Sequence, residues 1–245
     1  MIGQKKLQFW IDTWYKSGTK QNLLLRGGPG MGKTMFAEYY AARMAKCFWH
    51  YIPCSVKNIK IPQDDEPVVL DEIHLLKEPE AWYDRPNLLV GCTTEGAPVP
   101  EALRSRMFEF WMAPYSLKEL SNIILESYPI CKHVAKAIAR RSRGSPRNAL
   151  LITTQVVAIF HNKPYTVRDV ELACDSVGFF DGGFTENDHK YIEFLQKAGS
   201  ASYRTIARSL GLPEATILEE IEPFLLKKGI IKITSKGREL CGSLS

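Results

Sequence analysis

No long hydrophobic run interrupts this sequence of 245 residues. Its longest mostly apolar stretch, Ala149 to Phe160, carries two threonines and a glutamine. It falls short of the roughly 20 apolar residues that a bilayer-spanning helix needs. Met1 to Trp10 has two lysines but no apolar segment of the kind a secretion signal carries, so a cytoplasmic protein with no membrane attachment is expected. Cysteine is sparse: the six stand at 47, 54, 92, 131, 174 and 241, too far apart for a Cys-x-x-Cys site. They read as reduced, mostly buried thiols and exclude a disulfide scaffold. His50, His74, His133, His161 and His189 show no metal-ligand spacing. Charge of one sign is also lacking: 32 basic against 27 acidic residues leave a net +5, which permits a nucleic-acid partner without demanding one.

What is present falls into three zones: 1–113, 114–180 and 181–245. In the first, short apolar runs alternate with helical patterns, at Asn22–Arg26, Phe48–Cys54, Pro67–Leu70, Asn87–Gly91 and Phe108–Trp111. Continuous apolar strands separated by helices predict an α/β core with a buried parallel sheet. The second zone is helical throughout, with Ser116 and Thr166 as N-caps, the latter three residues before Asp169. The third reads helix, helix, helix and then a small hairpin. Ile206, Leu210, Leu212, Ile217, Ile221 and Leu225 give one apolar face on two consecutive helices. Ile230–Thr234 followed by Lys236-Gly237-Arg238 completes the outline of a winged helix.

Gly27-Gly28-Pro29-Gly30-Met31-Gly32-Lys33-Thr34 fits G-x-x-x-x-G-K-[ST], between a predicted strand and a predicted helix. Glycines let the backbone wrap a phosphate without Cβ clashes, and successive N–H groups with the helix dipole bind the anion. Gly28, Pro29, Gly30, Met31 and Gly32 form the cradle, Lys33 reaches the β- and γ-phosphates of ATP, and the Thr34 hydroxyl coordinates Mg²⁺. Val68-Val69-Leu70-Asp71-Glu72 supplies the second half. An apolar strand ends in Asp71, placed to hold the Mg²⁺ shell, and Glu72, a general base for the attacking water.

Further motifs follow in order: Asp-Glu-Ile-His at 71–74, Gly91-Cys92-Thr93-Thr94, Ala102-Leu103-Arg104-Ser105-Arg106 and Arg143-Gly144-Ser145-Pro146-Arg147. This order resembles that of AAA+ ATPases, and its details resemble the RuvB family of Holliday-junction branch-migration motors. Ile2-Gly3-Gln4 is similar to that family's Ile-Gly-Gln, and Glu222-Pro223-Phe224-Leu225 through Arg238 to its winged helix. The resemblance implies an αβα AAA+ core, a helical lid and a C-terminal winged-helix domain. It makes Thr94, with Thr93 as fallback, the sensor of the γ-phosphate. Arg106, assisted by Arg104, becomes the finger reaching a neighbouring subunit's nucleotide, and Arg147 the lid arginine. A finger acting in trans implies a homo-oligomer, a hexameric ring or spiral. The family carries a segment ahead of its Ile-Gly-Gln that cradles adenine; here Ile2, Gly3 and the lid are left that role. Only 16 residues, Ile73–Leu88, separate Glu72 from the centre of the next strand. The family's RuvA-docking hairpin has no room there, so a protein partner would not use a conventional RuvA contact. Ser55–Glu66 is too short for a full helix.

DNA contacts are expected through phosphates, sequence-independent and steeply salt-dependent. The basic wing is favoured: Lys232, Lys236 and Arg238, with Lys227 and Lys228 nearby, and Gly237 allowing close backbone approach. Lys57 and Lys60 are further candidates. Glu214, Glu219, Glu220 and Glu222 on the preceding helix argue against base readout. Arg140, Arg141 and Arg143 read as a solvated helix end rather than a DNA patch. The expected function is ATP hydrolysis coupled to translocation on, or remodelling of, DNA. The alternatives are an ATP-switched loader or adaptor that places a helicase or transposase on DNA, and a protein-remodelling ATPase or assembly scaffold.

Overall fold

The computed structural model describes residues 1–94, 96–160 and 165–242, so His161 lies outside the described residues. Two compact units emerge: Met1–Ile123 with Gly144–Arg147, and Ile124–Arg143 with Asn148–Ser245. These bounds differ from the breaks at 113 and 180 expected from the sequence. The helical zone from Ile124 onward groups with the winged helix, while residues 114–123 and the short Gly144–Arg147 segment belong with the nucleotide core.

The first unit is built on five parallel strands: β1 (Leu23–Arg26), β2 (His50–Pro53), β3 (Val68–Asp71), β4 (Leu89–Thr93) and β5 (Phe108–Trp111), in the order β2-β3-β4-β1-β5. All five fall on the apolar runs read from the sequence. Leu23, Leu24, Leu25, Val68, Val69, Leu70 and Val90 are fully buried, as strands covered on both faces must be. Helix α1 (Lys5–Ser17) buries Leu7, Ile11 and Trp14. Trp14 packs against Phe108 and against Tyr40 of α2 (Lys33–Met44). A short α3 (Glu101–Arg104) precedes β5. β1 pairs with both β4 and β5, so the strand order reverses there, and the C-terminal end of such a strand is where open α/β sheets bind ligands.

Helix α4 (Leu117–Ser127) starts as expected at Ser116, whose hydroxyl accepts from the Glu119 amide at 3.3 Å while the Glu119 carboxylate accepts from the Ser116 amide at 2.8 Å. Helices α5 (Lys132–Arg141), α6 (Pro146–Phe160) and α7 (Val167–Ser176) follow, the last with a complete capping box between Thr166 and Asp169. Of the three arginines expected at a solvated helix end, Arg140, Arg141 and Arg143, only Arg140 is exposed. Arg141 is buried and faces Asp175 at 3.4 Å, Asp181 at 3.7 Å and Glu171 at 3.8 Å. Arg143 binds the fully buried Asp188 at 2.7 Å, and its guanidinium lies 3.9 Å from the centre of the Phe224 ring. A guanidinium can enter an interior when carboxylates meet its donors, and these two cations are such cross-links.

The winged helix comprises α8 (Glu186–Ala198), β6 (Ser200–Ala201), α9 (Tyr203–Leu210), a π-helical turn Thr216–Ile221 that runs into α10 (Glu222–Lys227), and the hairpin β7 (Ile231–Thr234) and β8 (Gly237–Leu240). Pro223 has no N–H to donate back into the preceding turn, which accounts for its looser winding. Tyr191, Leu195, Ile206, Ile217, Ile221, Leu225 and Ile231 form its core. β6, too short to read from the sequence, pairs with β8.

The wing corrects two expectations. Gly237 has φ 124° and sits against the Ala201 carbonyl, where any Cβ would collide; its glycine serves the β6–β8 approach, not DNA. Glu222 does not face outward with the other carboxylates. It is buried, accepts from Tyr191 Oη at 3.0 Å, and receives Arg238 through both oxygens at 2.8 and 2.9 Å. Arg238 also lies over the Tyr203 ring at 5.0 Å. It is committed to the fold and drops out as a DNA contact. The cysteine expectation holds for half: Cys54, Cys92 and Cys174 are buried, while Cys47, Cys131 and Cys241 are exposed, and all six are free. Among the described residues no helix is long and apolar enough to cross a membrane.

Removing one member of a buried ion pair costs about 3 kcal/mol. Arg238→Ala should therefore lower the protection of β8 and α10 amides in hydrogen exchange by roughly that much. Lys236→Ala, at the exposed turn beside it, should change protection by less than about 0.5 kcal/mol.

Candidate nucleotide site

The C-terminal end of β1 leads into the loop that the sequence singled out. Gly30 (φ 73°) and Gly32 (φ 83°) are left-handed, which turns the backbone around the loop and into α2. A Cβ on Gly30 would lie 2.6 Å from Ser145 Oγ and 2.7 Å from Arg147 Cβ. The Arg147 amide donates to the Gly30 carbonyl at 3.3 Å. Thus Gly144–Arg147, distant in sequence, closes on the loop. Gly28, Pro29 and Met31 complete it, with Met31 buried beneath.

Lys33 is the first residue of α2 and is buried. Its Nζ donates to the carbonyls of Gly27 at 2.8 Å and Gly28 at 3.1 Å. Burial lowers its pKa, with Glu72, Cys92 and Asp71 pulling the other way and Arg147 adding to the decrease. Thr34 Oγ1 lies 3.4 and 3.3 Å from the two Asp71 carboxylate oxygens. A hydroxyl and a carboxylate side by side at a helix N-terminus are hard oxygen donors, a set that suits Mg²⁺. The cradle, ammonium and oxygen pair together fit a magnesium-bound nucleoside triphosphate.

The parallel register brings the other groups to the same sheet edge. Pro53 pairs with Asp71, and Arg26 with Thr93. Glu72 follows β3 with φ 52° and is half-exposed. Thr94 stands just past β4, with no side-chain hydrogen bond among the described residues. Thr93, the fallback, is fully buried and turned the other way, its Oγ1 2.9 Å from His74 Nδ1. Gly3 (φ 79°) lies beside Tyr115, with no space for a Cβ against that ring; Ile2 precedes it, and Gln4 Nε2 donates to the Ala113 carbonyl at 2.6 Å. Arg104 pairs with Glu101 at 2.6 Å. Arg106 donates to the Ala102 carbonyl at 2.6 Å, lies over Tyr83 and is exposed.

Three residues here had escaped the sequence reading. Tyr51 Oη donates to Asp71 at 2.7 Å, a contact that raises its own pKa to about 12. Tyr51 and Pro53 share a face of β2 with Val69 and Asp71, so strand alternation carries the signal. Tyr115 is buried with its hydroxyl lacking a well-formed hydrogen bond, near Gly32. His74 sits between Glu72 and Thr93. The remaining candidates are elsewhere: Lys57, Lys60, Lys232 and Lys236 are all exposed, with Lys232 3.4 Å from Glu239. Ile73–Leu88 folds as two 3₁₀ turns, Ile73–Leu75 and Pro79–Trp82, without a hairpin.

Comparison with known proteins agrees with this geometry. Residues 181–243 match the RuvB C-terminal winged helix domain. The Holliday junction branch migration complex subunit RuvB of Campylobacter curvus is 30% identical over 294 residues, covering 97% of this chain and 85% of that protein. The chain belongs to the RuvB family. The Nitratiruptor RuvB is also 30% identical, over 97% of this chain and 85% of its own length. The solved structure of the Thermotoga maritima RuvB Holliday junction branch migration motor superposes with a TM-score of 0.82 at 27% identity, covering 98% of this chain and 92% of that one. Membership of the RuvB family makes this an AAA+ ATPase with an αβα core and a C-terminal winged helix.

Gly30→Ala tests the cradle. A left-handed alanine costs roughly 1–2 kcal/mol of backbone energy, and here its Cβ also meets Ser145 and Arg147. Titration with a fluorescent ATP analogue should show affinity falling tenfold or more. Gly18→Ala (φ 69°, with open space around it) carries the same backbone cost and should leave affinity unchanged.

Proposed function

We propose that this chain is an ATP-driven motor that moves or remodels branched DNA, in the manner of Holliday-junction branch migration. The observation that carries the reading is the convergence of Lys33, Thr34, Asp71 and Arg147 on one glycine loop in a RuvB-family chain, with Glu72 and Thr94 at the ends of the neighbouring strands. Lys33 neutralises phosphate charge, and Thr34 and Asp71 would hold Mg²⁺, which would supply further charge neutralisation when bound. Glu72 takes the proton of the attacking water, Thr94 orients that water, and Arg147 senses the nucleotide from the segment that closes on the loop. Ile2 and Gly3 border the base. Arg106 works on the neighbouring subunit's ATP, so the active species is a homo-oligomer, a hexameric ring or spiral, acting in the cytoplasm.

DNA is held through phosphates by Lys232 and Lys236 of the wing, with Lys57 and Lys60 as further contacts. A loader or adaptor role is the second reading, favoured by the interval Ile73–Leu88, whose two 3₁₀ turns offer no hairpin for a conventional RuvA contact.

The deciding experiment is ATP turnover at several salt concentrations, alone and with linear duplex, single-stranded and four-way-junction DNA. The motor reading expects stimulation by duplex or junction that fades with salt. Slow turnover that no DNA stimulates would favour the loader. Glu72→Gln should retain ATP and stop turnover. Arg106→Ala should lower turnover by about 10³-fold while ATP still binds, and mixing it with Lys33→Ala should restore part of the activity. Each phosphate contact adds about 0.9 to the slope of log affinity against log salt. Lys232→Glu with Lys236→Glu should therefore weaken binding at every sequence and reduce that slope by about 2.

A further inference from the structure

We propose that His74 is the positioning residue for the Glu72 carboxylate, itself held in place by the Thr93 hydroxyl. The inference rests on Glu72 being the general base. A base must meet its water within hydrogen-bond reach, yet a glutamate side chain has three free rotors. Glu72 leaves the sheet in a left-handed conformation and begins the 3₁₀ turn Ile73–Leu75, so β3 does not hold its side chain. The carboxylate is 43% exposed and, among the described residues, has one close partner, His74 Nδ1 at 3.4 Å.

His74 is well anchored. Its side chain is only 20% exposed, and the same Nδ1 is 2.9 Å from Thr93 Oγ1. Thr93 is fully buried in β4 and paired with Arg26 of β1, at the edge that carries the glycine loop. A carboxylate only accepts hydrogen bonds, so its contact with Nδ1 attracts only when Nδ1 carries the proton. That N–H then donates to the Thr93 hydroxyl, and its positive end lies within electrostatic reach of the Glu72 carboxylate at 3.4 Å. The logic is that of a base oriented by a third group, which is itself oriented. Because Thr93 adjoins Thr94, one strand end sets both the base and the γ-phosphate sensor.

Loss of such a residue lowers turnover and leaves nucleotide binding alone. In the full chain with saturating junction DNA, His74→Ala should reduce kcat by 10- to 100-fold, with KM and the affinity for a fluorescent ATP analogue within twofold of the parent. His74→Asn places an amide donor where Nδ1 stood and should recover most of the loss, whereas Thr93→Val should mimic His74→Ala in part. ¹⁵N-histidine NMR supplies a second readout independent of turnover. His74 Nδ1 should be protonated in the parent, and its resonance should move in both Glu72→Gln and Thr93→Val. An unchanged kcat in His74→Ala would overturn the proposal. So would a loss matched by weaker ATP binding that Asn does not rescue. If the parent itself shows no turnover, it is the motor reading that fails, and the NMR arm alone decides: a His74 resonance indifferent to both substitutions rejects the Thr93–His74–Glu72 chain.

Discussion

The buried ammonium of Lys33 sets the terms for the nucleotide unit. A cation at a helix N-terminus opposes the helix dipole and has lost most of its water. Here the carbonyls of Gly27 and Gly28 take its protons, and Asp71 and Glu72 bring negative charge nearby. That arrangement requires the loop to curl back over its own helix, which Gly30 and Gly32 allow by their left-handed backbone. It also requires the acids to arrive at the same level as the lysine, which the parallel register of β3 beside β4, and β4 beside β1, provides. A phosphate chain offers oxygens in place of the two carbonyls, so the loop is built around a charge whose better partner is an anion.

The sequence made this half of the site legible because its constraints are local. Eight consecutive residues specify the loop, five specify the acid strand, and each strand is a run of apolar residues. Long-range polar pairing was not legible. Arg141 and Arg143 look like any basic helix end until Glu171, Asp175, Asp181 and Asp188 fold against them. Glu222 counted as one of four carboxylates on a helix, yet it points into the core toward Tyr191 and Arg238. A residue's charge is visible in the sequence; whether that charge meets water or a partner is a property of contacts between residues tens of positions apart. Strand alternation was the unused signal for Tyr51, which shares its β2 face with the residue that pairs with Asp71.

The same distinction reshapes the wing. A basic run of five residues suggested one electrostatic surface, but the fold draws charges from it selectively. Arg238 is spent on Glu222, and Lys232 is within 3.4 Å of Glu239. Lys236 sits at the exposed turn, where its charge faces solvent. Two exposed lysines on a hairpin are a modest electrostatic footprint, smaller than the run of basic residues in the sequence suggests.

The chain passes between the two units at Arg143–Gly144, through two consecutive left-handed residues. Arg143 is fixed by Asp188 and Phe224 in the winged-helix unit. Gly144 accepts from the Tyr115 amide at 3.0 Å in the nucleotide unit, and three residues later Arg147 donates to Gly30 of the loop. At Gly144 a Cβ would meet Pro114 at 2.8 Å, so glycine is required there both for its φ and for its space. Several residues of the Arg-Gly-Ser-Pro-Arg motif therefore have structural tasks of their own. Its first arginine is anchored on Asp188 and Phe224, and its last donates a backbone N–H to the glycine loop.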